Sequence, residues 1–130
     1  AALYSAFPRR RKICVLGNTG GGRDAWKRPE MGRIAEEFCE TVILTNEDPY
    51  DEDPQSILSD MVRGMKRAPE VIMDRREAIR SALARARSDD AVLISGKGTD
   101  PFIMGPKGHR ESWSDAQVAR EELKRLLGGF

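Results

Sequence analysis

Short apolar runs alternate along this chain with longer segments whose apolar residues recur at helical spacing. Lys12–Leu16 (KICVL) is a β-branched run that stops at Gly17. In the next segment, Arg28–Cys39, Met31, Ile34, Ala35 and Phe38 share one helical face. Thr41–Leu44 is a second strand. Asp53 then predicts an N-cap, with Pro54 at the first helical position and Ile57, Leu58, Met61, Val62 and Met65 as the apolar face. Glu70–Met73 predicts a third strand. Asp74, with Glu77 three residues on, caps a helix that turns Ala78, Ile79, Ala82, Leu83 and Ala86 inward. Ala91–Ser95 is a fourth strand ending at Gly96. Ser114 and Gln117 form a capping box for a last helix carrying Val118, Leu123, Leu126 and Leu127.

Strand and helix in strict alternation is the grammar of an α/β fold, a doubly wound, mostly parallel, Rossmann-like sheet with helices on both faces. The strands are almost uninterrupted apolar runs, as a sheet covered on both sides requires. The glycine- and proline-rich stretch before Ser114 has no helical period. Phe102–Met104 and Ser112–Trp113 predict a small antiparallel hairpin there, near residues 101–113. Ala1–Phe7 reads as the end of a helix without a cap, which suggests a single domain, residues 1–130, excised from a longer protein.

Composition narrows the function classes. A chain of 130 residues, 39% apolar and 33% charged, is one globular domain. A net charge of +1 gives no case for nucleic acid, and the basic run Arg9–Lys12 reads as the flank of a strand. No apolar run approaches the roughly 20 residues that span a bilayer. Cys14 and Cys39 fall on apolar positions and read as small buried hydrophobes in a reducing cytosol, not as a disulfide. His109 is the only histidine, so no histidine-based metal site is expected.

Three loops leave the carboxyl ends of strands, where open α/β sheets bind ligands. Gly17–Pro29 (GNTGGGRDAWKRP) could turn backbone N–H groups outward as an anion nest, with Arg23, Lys27 and Arg28 adding charge, or could be a plain turn before a helix. It is neither a Walker A loop nor a dinucleotide fingerprint. Thr45–Pro54 (TNEDPYDEDP) carries five carboxylates, Glu47, Asp48, Asp51, Glu52 and Asp53. It reads either as solvated turn chemistry or as a surface facing a cationic group, and it lacks the ligand alternation of a calcium loop. Ser95–Pro101 (SGKGTDP) sets Lys97 between two glycines. Basic and acidic groups on one sheet edge suit a zwitterion: arginine for its carboxylate, carboxylates for its ammonium.

The ordered segments GNTGGGRDAWKRPEMGRIAEEF, TNEDPYDEDP, DRREAI, SGKGTDP and SWSDAQVA resemble the C-terminal domain of the Mur ligases, and among these the UDP-N-acetylmuramoyl-tripeptide synthetases. The resemblance covers roughly residues 11 to 120. It implies a cytoplasmic, monomeric three-domain enzyme of peptidoglycan precursor synthesis. An N-terminal UDP-substrate domain and a central ATPase domain, which binds ATP and magnesium, would precede this segment in the same chain. ATP would phosphorylate the D-Glu carboxylate of UDP-MurNAc-L-Ala-D-Glu, and the amine of the third amino acid would attack the acyl phosphate. This segment has no P-loop of its own and is expected to be inactive alone.

Carried over by position, Arg23 matches the arginine that grips the amino-acid carboxylate. Glu47, Asp48 and Tyr50 fall on the selection motif, usually Asp-Asn-Pro-Arg or Asp-Asn-Pro-Ala. Gly96 and Asp100 fall on the Gly-Lys-Gly-His-Glu motif. Lys27, Arg28 and Lys97 are expected on the nucleotide side, Lys27 and Arg28 alternatively at a helix start. The departures point to a substrate. Tyr50 replaces the arginine that pairs with the distal carboxylate of meso-diaminopimelate, and a phenol cannot imitate a bidentate guanidinium. Asp48 in place of asparagine would repel that carboxylate, so L-lysine or ornithine is expected in preference. Thr99-Asp100 in place of His-Glu shortens one contact. Competing readings are a stand-alone amino-acid or nucleotide module, a folylpolyglutamate or cyanophycin synthetase domain, and a receiver-like phosphoacceptor. The last is disfavoured because no acidic pair follows the first strand.

Overall fold

A computed structural model describes residues 10–22, 25–97 and 101–128. Four strands, β1 (Lys12–Leu16), β2 (Thr41–Leu44), β3 (Glu70–Val71) and β4 (Ala91–Ile94), form one parallel sheet in the order β3-β2-β1-β4. All five residues of β1 are buried because it pairs on both sides, Cys14 opposite Val42 of β2 and opposite Leu93 of β4. The chain steps outward from β1 to β3, then crosses back to β4 on the far side of β1. The direction of winding therefore reverses between β1 and β4, and the crevice at their carboxyl ends is the place such sheets offer a ligand.

The two side-chain parities of the strands build two cores. Cys14, Leu16, Val42, Leu44 and Leu93 pack against Ala35 of α1 (Arg28–Phe38) and against Leu58 and Met61 of α2 (Pro54–Val62). Ile13, Val15 and Ile43 pack against Ala78, Ile79 and Ala82 of α3 (Arg75–Arg85) and against Val118 of α4 (Asp115–Leu126). Period-two alternation in the strands thus meets period-3.6 stripes in the helices, and the doubly wound reading holds. The first helix layer is tight. A Cβ on Gly32 of α1 would lie 2.2 Å from the Met61 carbonyl oxygen, and one on Gly64 1.7 Å from that of Pro29. Only glycine permits this backbone-to-backbone approach.

The helix starts are the expected ones. Gln55 N–H donates to Asp53 at 3.1 Å, Glu77 N–H to Asp74 at 3.1 Å and Gln117 N–H to Ser114 at 3.2 Å. The Ser114 box is only half closed, since the Gln117 side chain turns to Glu121. The hairpin also forms, β5 (Phe102–Met104) against β6 (Arg110–Ser112), with Phe102 opposite Ser112.

Other expectations need correction. The third strand keeps only its first two residues, both exposed at the sheet edge. Leu123, Leu126 and Leu127 are exposed, not core, because α4 turns the face of Asp115, Val118 and Glu122 inward instead. Ala1–Phe7 lies outside the described residues. No helix among the described residues is long and apolar enough to cross a membrane.

The cysteines are the clearest correction: Cys14 and Cys39 form a disulfide, with their Cα atoms 6.2 Å apart. The reading as two separate hydrophobes missed what the register does. The α1 crossover returns the chain three residues before Val42, the residue that pairs with Cys14, so Cys39 arrives beside Cys14. Closing a loop of 25 residues should contribute about 3 kcal/mol. Reduction is therefore expected to lower the urea midpoint clearly, and thiol titration of the unfolded chain should find no free sulfhydryl before reduction and two after it. An unchanged midpoint would remove the crosslink as a source of stability.

Candidate functional site

The loops after β1, β2 and β4 meet at the carboxyl edge of the sheet, and the hairpin folds against them. The acidic loop is the centre of this edge. Its carboxylates do not face solvent as a group; each is assigned to a different neighbour. Thr19 Oγ1 donates to Glu47 at 2.7 Å. Lys97 Nζ donates to both oxygens of Asp48 at 2.8 and 2.9 Å, and Met104 N–H to one of them at 2.8 Å. Lys107 N–H donates to Asp51 at 2.7 Å. Arg28 donates to both oxygens of Glu52 at 2.6 and 2.9 Å, while Asp53 caps α2.

The glycine loop is read differently in this light. Gly21 and Gly22 have the positive φ that a nest needs, at 79° and 80°. The anion they serve is internal: Gly22 N–H donates to Glu52 at 3.2 Å, and Gly20 N–H to the Asp48 carbonyl at 2.6 Å. Gly20 also lies so close to Pro49 that a Cβ would sit 2.0 Å from its carbonyl oxygen.

Two buried arginines frame the edge. Arg28 opens α1 at 0% exposure and binds Glu52, Asp60, the Asn18 side chain and the Thr19 carbonyl. Its guanidinium is enclosed by protein at the start of α1. Arg75 opens α3 at 3% exposure and reaches Asp115, the Asn46 carbonyl and the Ser95 carbonyl. The Trp113 indole N–H, 2.6 Å away, steadies Asp115. Burial alone would raise the Asp115 carboxyl, but the bonds from Arg75 and Trp113 bring it below the usual range.

Lys97, at 3% exposure, is buried against Asp48. The same pair sets a positive charge directly against the Asp48 carboxylate. Lys27 is exposed beside Trp26, its ammonium 5.1 Å from the ring centroid. Tyr50 is half-exposed at a φ of 53°, with its N–H donating to the Met104 carbonyl at 3.2 Å. Arg23 and Asp100 lie outside the described residues. Among the described residues no cluster of three carboxylate, histidine or cysteine side chains could hold a metal ion.

Glu47 and Gly96 do come together. Glu47 is 6% exposed, and a Cβ on Gly96, whose φ is 109°, would lie 2.0 Å from Glu47 Oε1. Burial pushes the Glu47 carboxyl up, against the Thr19 bond and nearby Arg75. Its Oε2 has Thr19; its Oε1 accepts no bond among the described residues. That oxygen has acceptor capacity suited to an ammonium, which would also offset the desolvation of the carboxylate. The sequence reading missed Thr19, Arg75, Trp113 and Asp115. The signal for Thr19 lay in GNTGGGRDAWKRP, and that for the other three in DRREAI and SWSDAQVA, segments that carried the resemblance without a role for these residues.

Residues 1–98 match the family described as Mur ligase, glutamate ligase domain. The chain is 42% identical over 122 residues to the UDP-N-acetylmuramoyl-L-alanyl-D-glutamate–2,6-diaminopimelate ligase of Gloeobacter violaceus, which covers 92% of this chain and 24% of that protein. The ligase of the same name from Bacillus cereus is 41% identical over 123 residues, covering 93% of this chain and 24% of that protein. A solved structure of a ligase of that name superposes with a TM-score of 0.85 at 32% identity, over 97% of this chain and 27% of the other. The chain therefore spans about a quarter of the length of the curated relatives it matches.

The Arg28–Glu52 pair predicts an acid dependence. The Arg28 hydrogen bonds hold the Glu52 carboxyl below the usual glutamate range. The unfolded chain then binds the proton more readily than the fold. The pair's contribution is complete above the unfolded value and is lost as pH falls through the depressed one. Glu52→Gln should be less stable at neutral pH and lose stability less steeply between about pH 5 and pH 3, measured by urea unfolding across that range. Equal slopes in the two proteins would refute the coupling.

Proposed function

The chain belongs to the Mur ligases, as their glutamate ligase domain, and from that premise we propose that it is the amino-acid-holding C-terminal domain of an ATP-dependent amide ligase. The ligase would add a diamino acid as third residue to UDP-MurNAc-L-Ala-D-Glu, in the cytoplasm, in peptidoglycan precursor synthesis. The observation that carries this reading is the meeting of Glu47 with Gly96 at the sheet's switch point, where one carboxylate oxygen lies against the glycine backbone.

In this reading the γ-phosphoryl group of ATP passes to the D-Glu carboxylate. The amine attacks the acyl carbon, an amide C–N bond forms, and phosphate leaves with the C–O bond. A central domain of the same chain would hold ATP and magnesium, and an N-terminal domain the UDP-substrate. The described residues build no magnesium seat, so no step is assigned to one here. The task of this domain is orientation: Arg23 for the amino-acid carboxylate, Glu47 for an ammonium, and Asp48, Tyr50, Gly96 and Asp100 as walls. Bringing the amine to the acyl phosphate in a fixed pose makes the reaction effectively unimolecular. In a cytosol, burial of Cys14 and Cys39 would shield their disulfide from reductants.

For the amino acid we propose L-lysine or ornithine. Tyr50 offers a phenol where a second carboxylate needs a guanidinium, and the two buried arginines of this edge, Arg28 and Arg75, are engaged by protein carboxylates. The names of the relatives described above, 2,6-diaminopimelate ligases, favour the second reading, meso-diaminopimelate. With Asp48 neutralised by Lys97, the choice rests on Tyr50.

Amino-acid-dependent phosphate release by the full-length protein, supplied with ATP and UDP-MurNAc-L-Ala-D-Glu, separates the two. Lysine or ornithine is expected to support turnover at least about tenfold better than meso-diaminopimelate, the order of discrimination that one unmatched carboxylate imposes. The opposite ranking establishes the second reading. The 130-residue chain alone, given the same mixture, is expected to release no phosphate above background. Turnover by it would overturn the assignment of ATP chemistry to other domains.

A further inference from the structure

A buried guanidinium is costly unless its donors are matched, and Arg75 matches them with groups from three separate segments. Nε and Nη2 donate to the two oxygens of Asp115 at 2.9 and 2.8 Å. Nη1 donates to the Asn46 carbonyl and Nη2 to the Ser95 carbonyl, each at 3.0 Å. Asn46 is the residue before Glu47, and Ser95 is the residue before Gly96. One planar group thus grips both loops one residue short of their candidate ligand contacts. Asp115, at the first turn of α4, fixes the plane of that group and is itself held by Trp113.

We propose that Arg75 is a positioning residue for the amino-acid pocket, holding the Glu47 and Gly96 loops in the register in which those two residues meet. At 3% exposure it is sealed from a ligand and acts through the loops. Its own hydrogen bonds go to Asp115 and to the two loops that carry Glu47 and Gly96, none of them to Arg28 or to the glycine loop directly. Lysine cannot substitute, because a single ammonium cannot fan toward two carbonyls and a bidentate carboxylate together.

This inference rests on the functional reading above, and the experiment separates the two. In the full-length ligase, Arg75→Lys should raise KM for the amino acid about tenfold or more, the scale of effect of a small misplacement, while KM for ATP stays within about twofold. Arg75→Met/Asp115→Leu removes the charge and its partner together, so it should recover thermal stability relative to Arg75→Met without recovering KM for the amino acid. If the double variant restores both, or if Arg75→Lys moves the two KM values equally, Arg75 is only a structural pair and the inference falls. Wild-type protein that ligates no amino acid overturns the functional reading and this inference with it. Wild-type ligation with unmoved KM values in both variants overturns this inference alone.

Discussion

Charge removed from water must be met where it sits, and at the carboxyl edge of this sheet that requirement organises everything else. The acidic loop brings five carboxylates into a small volume without a compensating ligand. They coexist because each is assigned to a different structure: Thr19, Lys97, the hairpin backbone, Arg28 with the glycine loop, and the start of α2. The loop is therefore a bracket. It fastens the chain segments after β1 and β4 to the one after β2, and it ties the hairpin to all of them.

Two arginines complete this arrangement from opposite helix layers, Arg28 from α1 and Arg75 from α3. Each starts a helix and each collects backbone carbonyls as well as carboxylates, so loop conformation and helix position are set together. What the bracket leaves over is small: one oxygen of Glu47, the half-exposed phenol of Tyr50, and the bare backbone of Gly96. A domain that holds an amino acid for attack on an acyl phosphate needs little more than orientation from its own side chains, and a rigid frame with few open groups is suited to that.

Local chemistry was legible in the sequence. The four parallel strands, the caps at Asp53, Asp74 and Ser114, and the hairpin all follow from periodicity and turn residues that lie close together in the chain. The pairing of the charges was not legible in the same way. Lys97 meets Asp48 across 49 positions and Arg75 meets Asp115 across 40, and nothing in the acidic loop itself says that Glu47 and Asp48 turn inward. The same gap explains Cys14 and Cys39, whose contact is a product of strand register. Leu126 and Leu127 show the reverse error, since α4 buries Asp115 and Glu122 beside Val118 in place of these leucines. Glu47 and Gly96 were legible only through resemblance; their contact emerges from the fold.

The glycine contacts between α1 and α2 bear on how such a pocket can be retuned. With Gly32 against Met61 and Gly64 against Pro29, the two helices meet backbone to backbone and behave as one slab. Backbone atoms set the spacing there, so exchange of a neighbouring side chain has little leverage to shift one against the other. The glycine loop and the acidic loop, which enter α1 and α2, inherit that fixed spacing. A change of amino-acid preference must then be written at the loop tips, in residues such as Tyr50, and not in the layer that carries them.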